Sequence, residues 1–177
     1  MPGEVKIVPI SAAHAESFRE CLDAVARERR YIAMTEAPPL ESVTAFVLGN
    51  VQSDAPQFVA LDGDRVVGWA DVVPSFAQAV SHCGRLGMGV LPGYRGRGIG
   101  ARLLEASVAK ARAKGITRIE LDARADNGAA LRLYERAGFR REALKRNAMR
   151  FDGVYFDSVQ MSLILAGAGG PQAQEGR

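Results

Sequence analysis

The sequence has few of the features that mark exported, metal-binding or membrane-embedded proteins. It contains two cysteines, Cys21 and Cys83, which are too few for a disulfide framework and match no metal-ligand or redox spacing. No apolar run approaches the ~20 residues that span a bilayer, and the N-terminus lacks the charged and apolar regions of an export signal. We therefore expect a cytoplasmic protein with reduced thiols, no bound metal and no membrane partner.

A strong excess of one charge is also missing. The formal net charge is +3 and the sequence pI is near 9.1, an excess too small and too scattered to predict a nucleic-acid partner. A chain of 177 residues with 47% hydrophobic content fits one globular domain. Residues 166–177 have almost nothing to bury, so we expect a folded domain over 1–165 and a flexible tail over 166–177.

The spacing of apolar residues predicts a mixed α/β fold. Phe18, Leu22 and Val25 share one helical face, for example, whereas residues 118–123 alternate as in a strand. The predicted strands are 5–10, 58–61, 66–73, 83–90, 118–123, 139–150 and 154–165, and the predicted helices follow Ser11 and cover 41–50, 98–114 and 127–138. This order indicates one central sheet of about seven strands with flanking helices in a single domain.

The most informative segment is PGYRGRGIG, at positions 92–100. It lies between a predicted strand and a predicted helix, where the first helical turn leaves backbone N–H groups unpaired and carries partial positive charge. Gly96, Gly98 and Gly100 remove side chains that would keep an anion away from those groups. Arg95 and Arg97 add positive charge. The segment is therefore predicted to hold a phosphate or a diphosphate.

This loop has three other interpretations. A P-loop is excluded because no Gly-Lys-Ser/Thr follows. A dinucleotide-binding fingerprint is met by Gly96, Gly98 and Ala101, with Asp122 as the ribose-binding acid. Five residues separate the strand from its first glycine, however, and the repeated βαβ pattern is missing. The remaining alternative is a tight strand-to-helix connection without a ligand.

Two segments resemble motifs of the GNAT superfamily of acetyl-CoA-dependent N-acetyltransferases. LGMGVLPGYRGRGIGARLL is similar to the family's strand followed by Arg/Gln-x-x-Gly-x-Gly/Ala, with Arg95, Gly98 and Gly100 in the defining positions. DNGAALRLYERAGF is similar to a second motif, matched by Asn127, Ala130, Tyr134, Gly138 and Phe139. The C-terminal part resembles the branch that contains amino-acid, phosphinothricin and ribosomal-protein acetyltransferases. The resemblance implies a splayed GNAT-like sheet and, as a family-level expectation, a homodimer.

The resemblance also implies an activity. Acetyl-CoA would serve as cosubstrate, and its acetyl group would pass directly to a primary amine of an acceptor that the sequence does not identify, whether a small molecule, an amino acid or a protein N-terminus. The diphosphate would lie on the N–H groups of the glycine loop, and the amide-bearing pantetheine arm would pair with the preceding strand. The residues implied to bind acetyl-CoA are Met88, Gly89, Val90, Arg95, Gly96, Arg97, Gly98, Ile99, Gly100, Ala101 and Asn127.

Two features concern catalysis. Tyr134 matches the family tyrosine that protonates the leaving thiolate, although a tyrosine on this helix face is also expected if it serves only the core. Gly87 and Gly89 suggest a β-bulge that separates their strand from its neighbour and admits the pantetheine arm. A backbone N–H in this stretch would then stabilise the oxyanion of the tetrahedral intermediate.

The general base is harder to assign. Family members often carry an acidic residue on the strand before the glycine loop, where this chain has Arg85. We predict Glu36 as the base, because the family's acceptor wall comes from the region of the 31–39 loop. His82 and a water chain without a single base are the alternatives.

Two other functions remain open from the sequence. One is a non-catalytic CoA-binding regulatory module, and the other is a nicotinamide-dependent oxidoreductase. A basic cluster at Arg140, Arg141, Lys145, Arg146 and Arg150 either steers an acidic substrate or RNA or forms a solvated strand face.

Overall fold

A computed structural model describes residues 4–165, so the tail predicted at 166–177 lies outside the described residues. The strands are β1 Lys6–Pro9, β2 Gln57–Asp62, β3 Arg65–Pro74, β4 Cys83–Val90, β5 Arg118–Arg124, β6 Arg140–Phe151 and β7 Val154–Ile164. The helices are α1 Ala15–Arg27, α2 Leu40–Gln52, α3 Ile99–Ala113 and α4 Gly128–Arg136. The predicted mixed α/β fold with seven strands is confirmed, and the predicted order of elements agrees with the structure.

The seven strands form one sheet in the order β1-β2-β3-β4-β5-β7-β6. The β4–β5 pair is parallel, whereas the other neighbouring pairs are antiparallel. Pairing between β4 and β5 covers only the start of each strand, from Cys83 opposite Arg118 to Arg85 opposite Glu120. The two strands then separate, so the sheet is splayed, and within the described residues 4–165 the stretch 86–90 has no strand partner on the β5 side.

Helices cover both faces of the first half of the sheet, and β3 shows which residue faces which helix. The Trp69 ring meets the Phe18 ring of α1 edge-on, with centroids 5.8 Å apart. A Cβ at the preceding Gly68 would instead lie 3.2 Å from Leu103 of α3. Because side chains alternate along a strand, residues 69 and 71 face α1 and residues 68 and 70 face α3. In the described part of the chain, no helix is long and apolar enough to cross a bilayer.

The bulge predicted around Gly87 and Gly89 is wrong. β4 pairs with β3 without a register shift from Gly84 to Val90. The glycines are needed for another reason, since side chains of β3 lean over them. A Cβ at Gly89 would lie 2.6 Å from Cζ3 of Trp69, and one at Gly87 would lie 3.3 Å from Oδ1 of Asp71. β4 and β5 therefore separate because their pairing ends at Arg85 and Glu120. No inserted residue in β4 accompanies the separation.

Candidate active site

The glycine loop presents backbone donors at the mouth of the splayed strands. Gly96 and Gly98 have φ angles of 73° and 75°, a left-handed conformation that glycine adopts without strain. None of the N–H groups from Gly96 to Ala101 donates a hydrogen bond to another residue within 4–165. A row of free N–H groups therefore opens α3, as an anion site requires.

The arginines of this loop differ in how they are held. Arg95 donates from Nε to the Val90 carbonyl oxygen at 2.8 Å and from both terminal nitrogens to the Glu28 carboxylate, at 2.9 and 2.5 Å. Its guanidinium also lies over the Tyr31 ring, 5.4 Å from the centroid. Arg97 stacks on the Tyr94 ring at 5.2 Å. Arg95 thus fastens the loop to the end of α1, and Arg97 is the arginine free of such an ion pair.

A cavity of about 690 Å³ lies on the α1 side of the sheet and reaches into the opening between β4 and β5. Its lining is mostly apolar and comes from α1, α2, the segment between them, α4 and strands β3 to β7. The ionisable residues among its described lining are Tyr31, Asp71, Arg85, Asp122, Tyr134 and Lys145. Residues 31–38 and 145–149 both contribute to the lining, and an ion pair between Arg29 and Asp152 joins these two parts of the chain.

Tyr134 lines this cavity from α4, at the position where the motif places the catalytic tyrosine. The residue is buried and its ring packs at 5.8 Å from that of Phe139. Its hydroxyl has no hydrogen-bond partner among residues 4–165. Burial raises the pKa of Tyr134 to about 12, so the phenol keeps its proton at neutral pH and remains a hydrogen-bond donor.

The other predicted residues fall into two groups. The first group follows the end of β4, the glycine loop and the first turn of α3. It consists of Met88, Gly89, Val90, Arg95, Gly96, Arg97, Gly98, Ile99, Gly100 and Ala101. Asn127 caps α4, accepting a hydrogen bond on Oδ1 from the Ala130 N–H at 3.2 Å. Glu36 lies apart from both groups. Its side chain is 70% exposed, faces Arg27 at 3.6 Å, and does not line the cavity.

The orientation of Glu36 follows from how its loop is anchored. The Ala37 N–H donates to the Asp23 carboxylate at 2.8 Å, and Arg19 donates to the Pro38 carbonyl oxygen at the same distance. These bonds bury Ala37. Its neighbour Glu36 then projects toward solvent, and the structure does not bring its carboxylate near Tyr134.

Asp71 is a cavity residue that the sequence interpretation missed. It projects from β3 opposite Gly87, and its carboxylate makes no hydrogen bond or ion pair with any residue in 4–165. Burial raises its pKa from the usual 3.8 to about 7. A carboxylate without a partner in an apolar cavity is costly to keep and marks functional sites. The sequence feature that indicates Asp71 is its position as the single acidic residue within the apolar run VVGWADVV.

A second polar group lies where β4, β5 and β6 meet. The Asp122 carboxylate forms an ion pair with Lys145, with 2.8 Å between Oδ1 and Nζ, and a second ion pair with Arg85. Burial opposes the ionisation of Asp122, but its ion pairs with Lys145 and Arg85 outweigh burial and hold its pKa below the usual range. Asp122 is therefore a fixed anion with two cations, rather than a proton acceptor. In the sequence, Lys145 belongs to the basic cluster that either steers an acidic substrate or RNA or forms a solvated strand face, and no local signal indicates its pairing with Asp122.

Comparisons with known proteins agree with this geometry. The sequence profile of the acetyltransferase (GNAT) family matches residues 17–139. Among curated proteins, the chain is 39% identical over 99 residues to the N-alpha-acetyltransferase RimI of Mycobacterium tuberculosis, covering 53% of this chain and 58% of that protein. It is 37% identical over 90 residues to the mycothiol acetyltransferase of Geodermatophilus obscurus, covering 49% of this chain and 29% of that protein. The matched segments thus span 29% and 58% of the length of these two curated relatives.

Solved structures extend the similarity to nearly the whole chain. The putative acetyltransferase yncA of Salmonella typhimurium, determined with acetyl-CoA, superposes with a TM-score of 0.88 at 20% identity and covers 97% of this chain and 100% of its own. A phosphinothricin acetyltransferase of Sinorhizobium meliloti, in complex with AcCoA, gives 0.83 at 21% identity, covering 93% of this chain and 89% of its own. At these identities the superpositions establish the fold. Together with the family match, which covers more than half of the sequence, they lead to one conclusion: the chain belongs to the acetyltransferase (GNAT) family.

Proposed function

We propose that this protein transfers the acetyl group of acetyl-CoA directly to a primary amine that enters from the α1 side of the sheet. The observation that carries the proposal is the opening between β4 and β5. Free N–H groups lie at one end of it, and a cavity containing Asp71 and Tyr134 lies at the other. An anionic coenzyme with a long amide-bearing arm suits that shape.

The residues along the opening fit each part of acetyl-CoA. The diphosphate suits the N–H groups from Gly96 to Ala101, with Arg97 beside them. The amides of pantetheine suit β4 residues 88–90, which have no strand partner on the β5 side. The thioester would then lie close to Met88 and Tyr134, both of which line the cavity.

Asp71 is our proposed general base, in place of Glu36. An acceptor ammonium pairs with its carboxylate in an otherwise apolar space and releases one proton to solvent, which leaves a neutral amine. The amine nitrogen attacks the thioester carbon, and the Asp71 carboxylate takes the second proton from nitrogen as the tetrahedral intermediate collapses and the C–S bond breaks. A pKa of about 7 keeps a large share of Asp71 ionised near neutral pH. The conformation of the 31–39 loop, which turns Glu36 outward, supports the change of assignment.

Tyr134 acts on the leaving group in this proposal. Its pKa of about 12 is above the ~8.5 of an ordinary thiol, so complete proton transfer to a free thiolate is unfavourable. A hydrogen bond from the phenol to sulfur, formed as the C–S bond breaks, stabilises the developing thiolate without that transfer. The sulfur is protonated when the coenzyme leaves.

The test is release of free thiol from acetyl-CoA in the presence of a panel of primary amines, followed by mass analysis of the amine. We expect thiol release that depends on both the amine and the native protein. Folded protein that binds acetyl-CoA without amine-dependent release would favour a non-catalytic CoA-binding module. Thermal protection by a nicotinamide cofactor, and not by acetyl-CoA, would favour the oxidoreductase alternative.

A further inference from the structure

The group formed by Arg85, Asp122 and Lys145 has more positive than negative charge. Both cations pair with the same carboxylate, so one positive charge is not compensated within the group. The side chain of Asp122 is 18% exposed, whereas those of Arg85 and Lys145 are 62% and 41% exposed. Asp122 therefore holds two cations in place while parts of each remain accessible from the cavity that all three line.

Neighbouring charges do not cancel this excess inside the cavity. Arg118 donates to Glu120 at 2.7 Å and to Glu142 at 3.1 Å, and this cluster lies nearer the start of β5. None of its members lines the cavity. The carboxylate of Asp71 lines it too, but in the proposed reaction Asp71 pairs with the acceptor's ammonium, so the cation excess remains when the acceptor is bound.

The sheet register gives the distance between the two polar positions. Asp71 lies opposite Gly87, and Arg85 is two residues from Gly87 along β4. Residues in this diagonal relation are about 7–8 Å apart and project from the same face. The space between α1, α2 and β3 that adjoins them is lined by apolar side chains such as Phe18, Phe46 and Trp69.

From this arrangement we infer that Arg85 and Lys145 form an anion subsite, and that the acceptor is a small amine whose apolar body carries a carboxylate or phosphate several bonds from the nitrogen. The inference rests on the proposed acetyl transfer for the placement of the amine at Asp71. A small acceptor is favoured over a polypeptide because the cavity, with a volume of about 690 Å³ and a mostly apolar lining, has the size and character of a small-molecule site. Charge-assisted hydrogen bonds to a preorganised cation pair provide the selectivity.

The test uses three amines with the same six-carbon chain: hexylamine, 6-aminohexanoate and 1,6-diaminohexane. We expect kcat/KM for 6-aminohexanoate to exceed that for hexylamine by at least about 10-fold, with the diamine poorest, because a hydrogen bond to a charged group contributes about this much. Arg85→Gln should lower kcat/KM for 6-aminohexanoate by about 10- to 100-fold, mainly through KM, and change that for hexylamine by less than about two-fold.

Two variants serve as controls. Lys145→Gln should reproduce the selective loss, and it provides the test if Arg85→Gln does not fold. Arg140→Gln removes an exposed arginine of β6 that does not line the cavity and should leave all three amines unaffected. Equal use of the neutral and anionic amines, an equal loss for both in Arg85→Gln, or preference for a peptide amine over all three would overturn the inference.

Binding of the products separates this inference from the proposed function. 6-Acetamidohexanoate should bind at least about 10-fold more tightly than N-hexylacetamide, and Arg85→Gln should abolish the difference. Selective binding without any acetyl transfer would keep the anion subsite and reject the activity. Acetyl transfer without selective binding would keep the proposed activity and reject the anion subsite.

Discussion

The two ends of the opening between β4 and β5 are built in different ways. The proposed diphosphate end consists of consecutive residues, and its chemistry would come from backbone N–H groups exposed by glycines. The proposed acceptor end consists of side chains from nine separate parts of the chain, including Asp71 from β3 and Lys145 from β6. A site made of local backbone follows from a short motif, whereas one assembled from distant side chains depends on the tertiary fold. Substitutions at the two ends should therefore affect different kinetic constants.

The largest expected effect is at the acceptor end, in Asp71→Asn. Loss of the proposed base should lower kcat by about 10²- to 10³-fold with little change in KM for acetyl-CoA. The wild-type kcat/KM should rise with pH through about 7, following the pKa of Asp71, and the variant should lack this step. Asp64→Asn, in the exposed β2–β3 turn, is the matched control. An Asp71→Asn enzyme with normal kcat would remove Asp71 from the mechanism.

Stability gives a second measurement on the same variant. The pKa of Asp71 is raised from 3.8 to about 7 on folding, so the folded state binds this proton more tightly, and the group reduces stability as pH rises from about 4 to 7. Above pH 7 the reduction is constant. The free energy of unfolding of Asp71→Asn, relative to that of wild type, should thus increase as the pH rises across that range. The increase should be at most about 4 kcal/mol, and smaller with solvent screening. Denaturant titrations at pH 4, 6 and 8 measure the difference.

Tyr134→Phe should have the next largest effect. It removes the donor to the leaving sulfur while the buried ring can keep its contact with Phe139, so kcat should fall by about 10- to 100-fold with KM for acetyl-CoA nearly unchanged. Tyr155→Phe alters an exposed tyrosine of β7 and should retain activity. Full activity in Tyr134→Phe would assign this tyrosine to the core alone.

The smallest expected effect is at the diphosphate end, in Gly98→Ala. Alanine at a φ of 75° costs about 1–2 kcal/mol, and its methyl group would project beside the free N–H groups. We expect KM for acetyl-CoA to rise about 10-fold while kcat for the bound complex changes little. Gly93→Ala, in the same loop without a positive φ, and Gly63→Ala, at a φ of 60° in a distant turn, are the controls. If both behave like Gly98→Ala, the effect lies in folding rather than in coenzyme binding.

The same contrast decides how far the sequence could predict the molecule. The order of seven strands and the start of α3 near Gly98 follow from apolar periodicity and from the glycine loop, both of which are local signals. Tyr134 can be identified from the sequence because the residues of its motif have a fixed spacing within one short segment. The role of Asn127 as a helix cap is also a property of the few residues around it.

The missed features depend on contacts between distant residues. β3 is buried on both faces, so its sequence VVGWADVV has no clear alternation to indicate that Asp71 faces a cavity. Glu36 turns outward because Ala37 is bonded to Asp23, 14 residues away. Gly87 and Gly89 were interpreted as a bulge, whereas they make room for side chains of the neighbouring strand. Each of these facts requires knowing which elements pack together.

One consequence follows from two adjacent residues at the end of α1. Glu28 is bound to Arg95 in the coenzyme loop, and Arg29 is bound to Asp152 between β6 and β7. A phosphate that pairs with Arg95 would compete with Glu28, and Glu28 is directly bonded to Arg29, whose ion pair with Asp152 lies beside two segments of the cavity lining. We therefore expect the Michaelis constants for acetyl-CoA and for the amine to depend on each other, which initial rates measured across a grid of both concentrations would test.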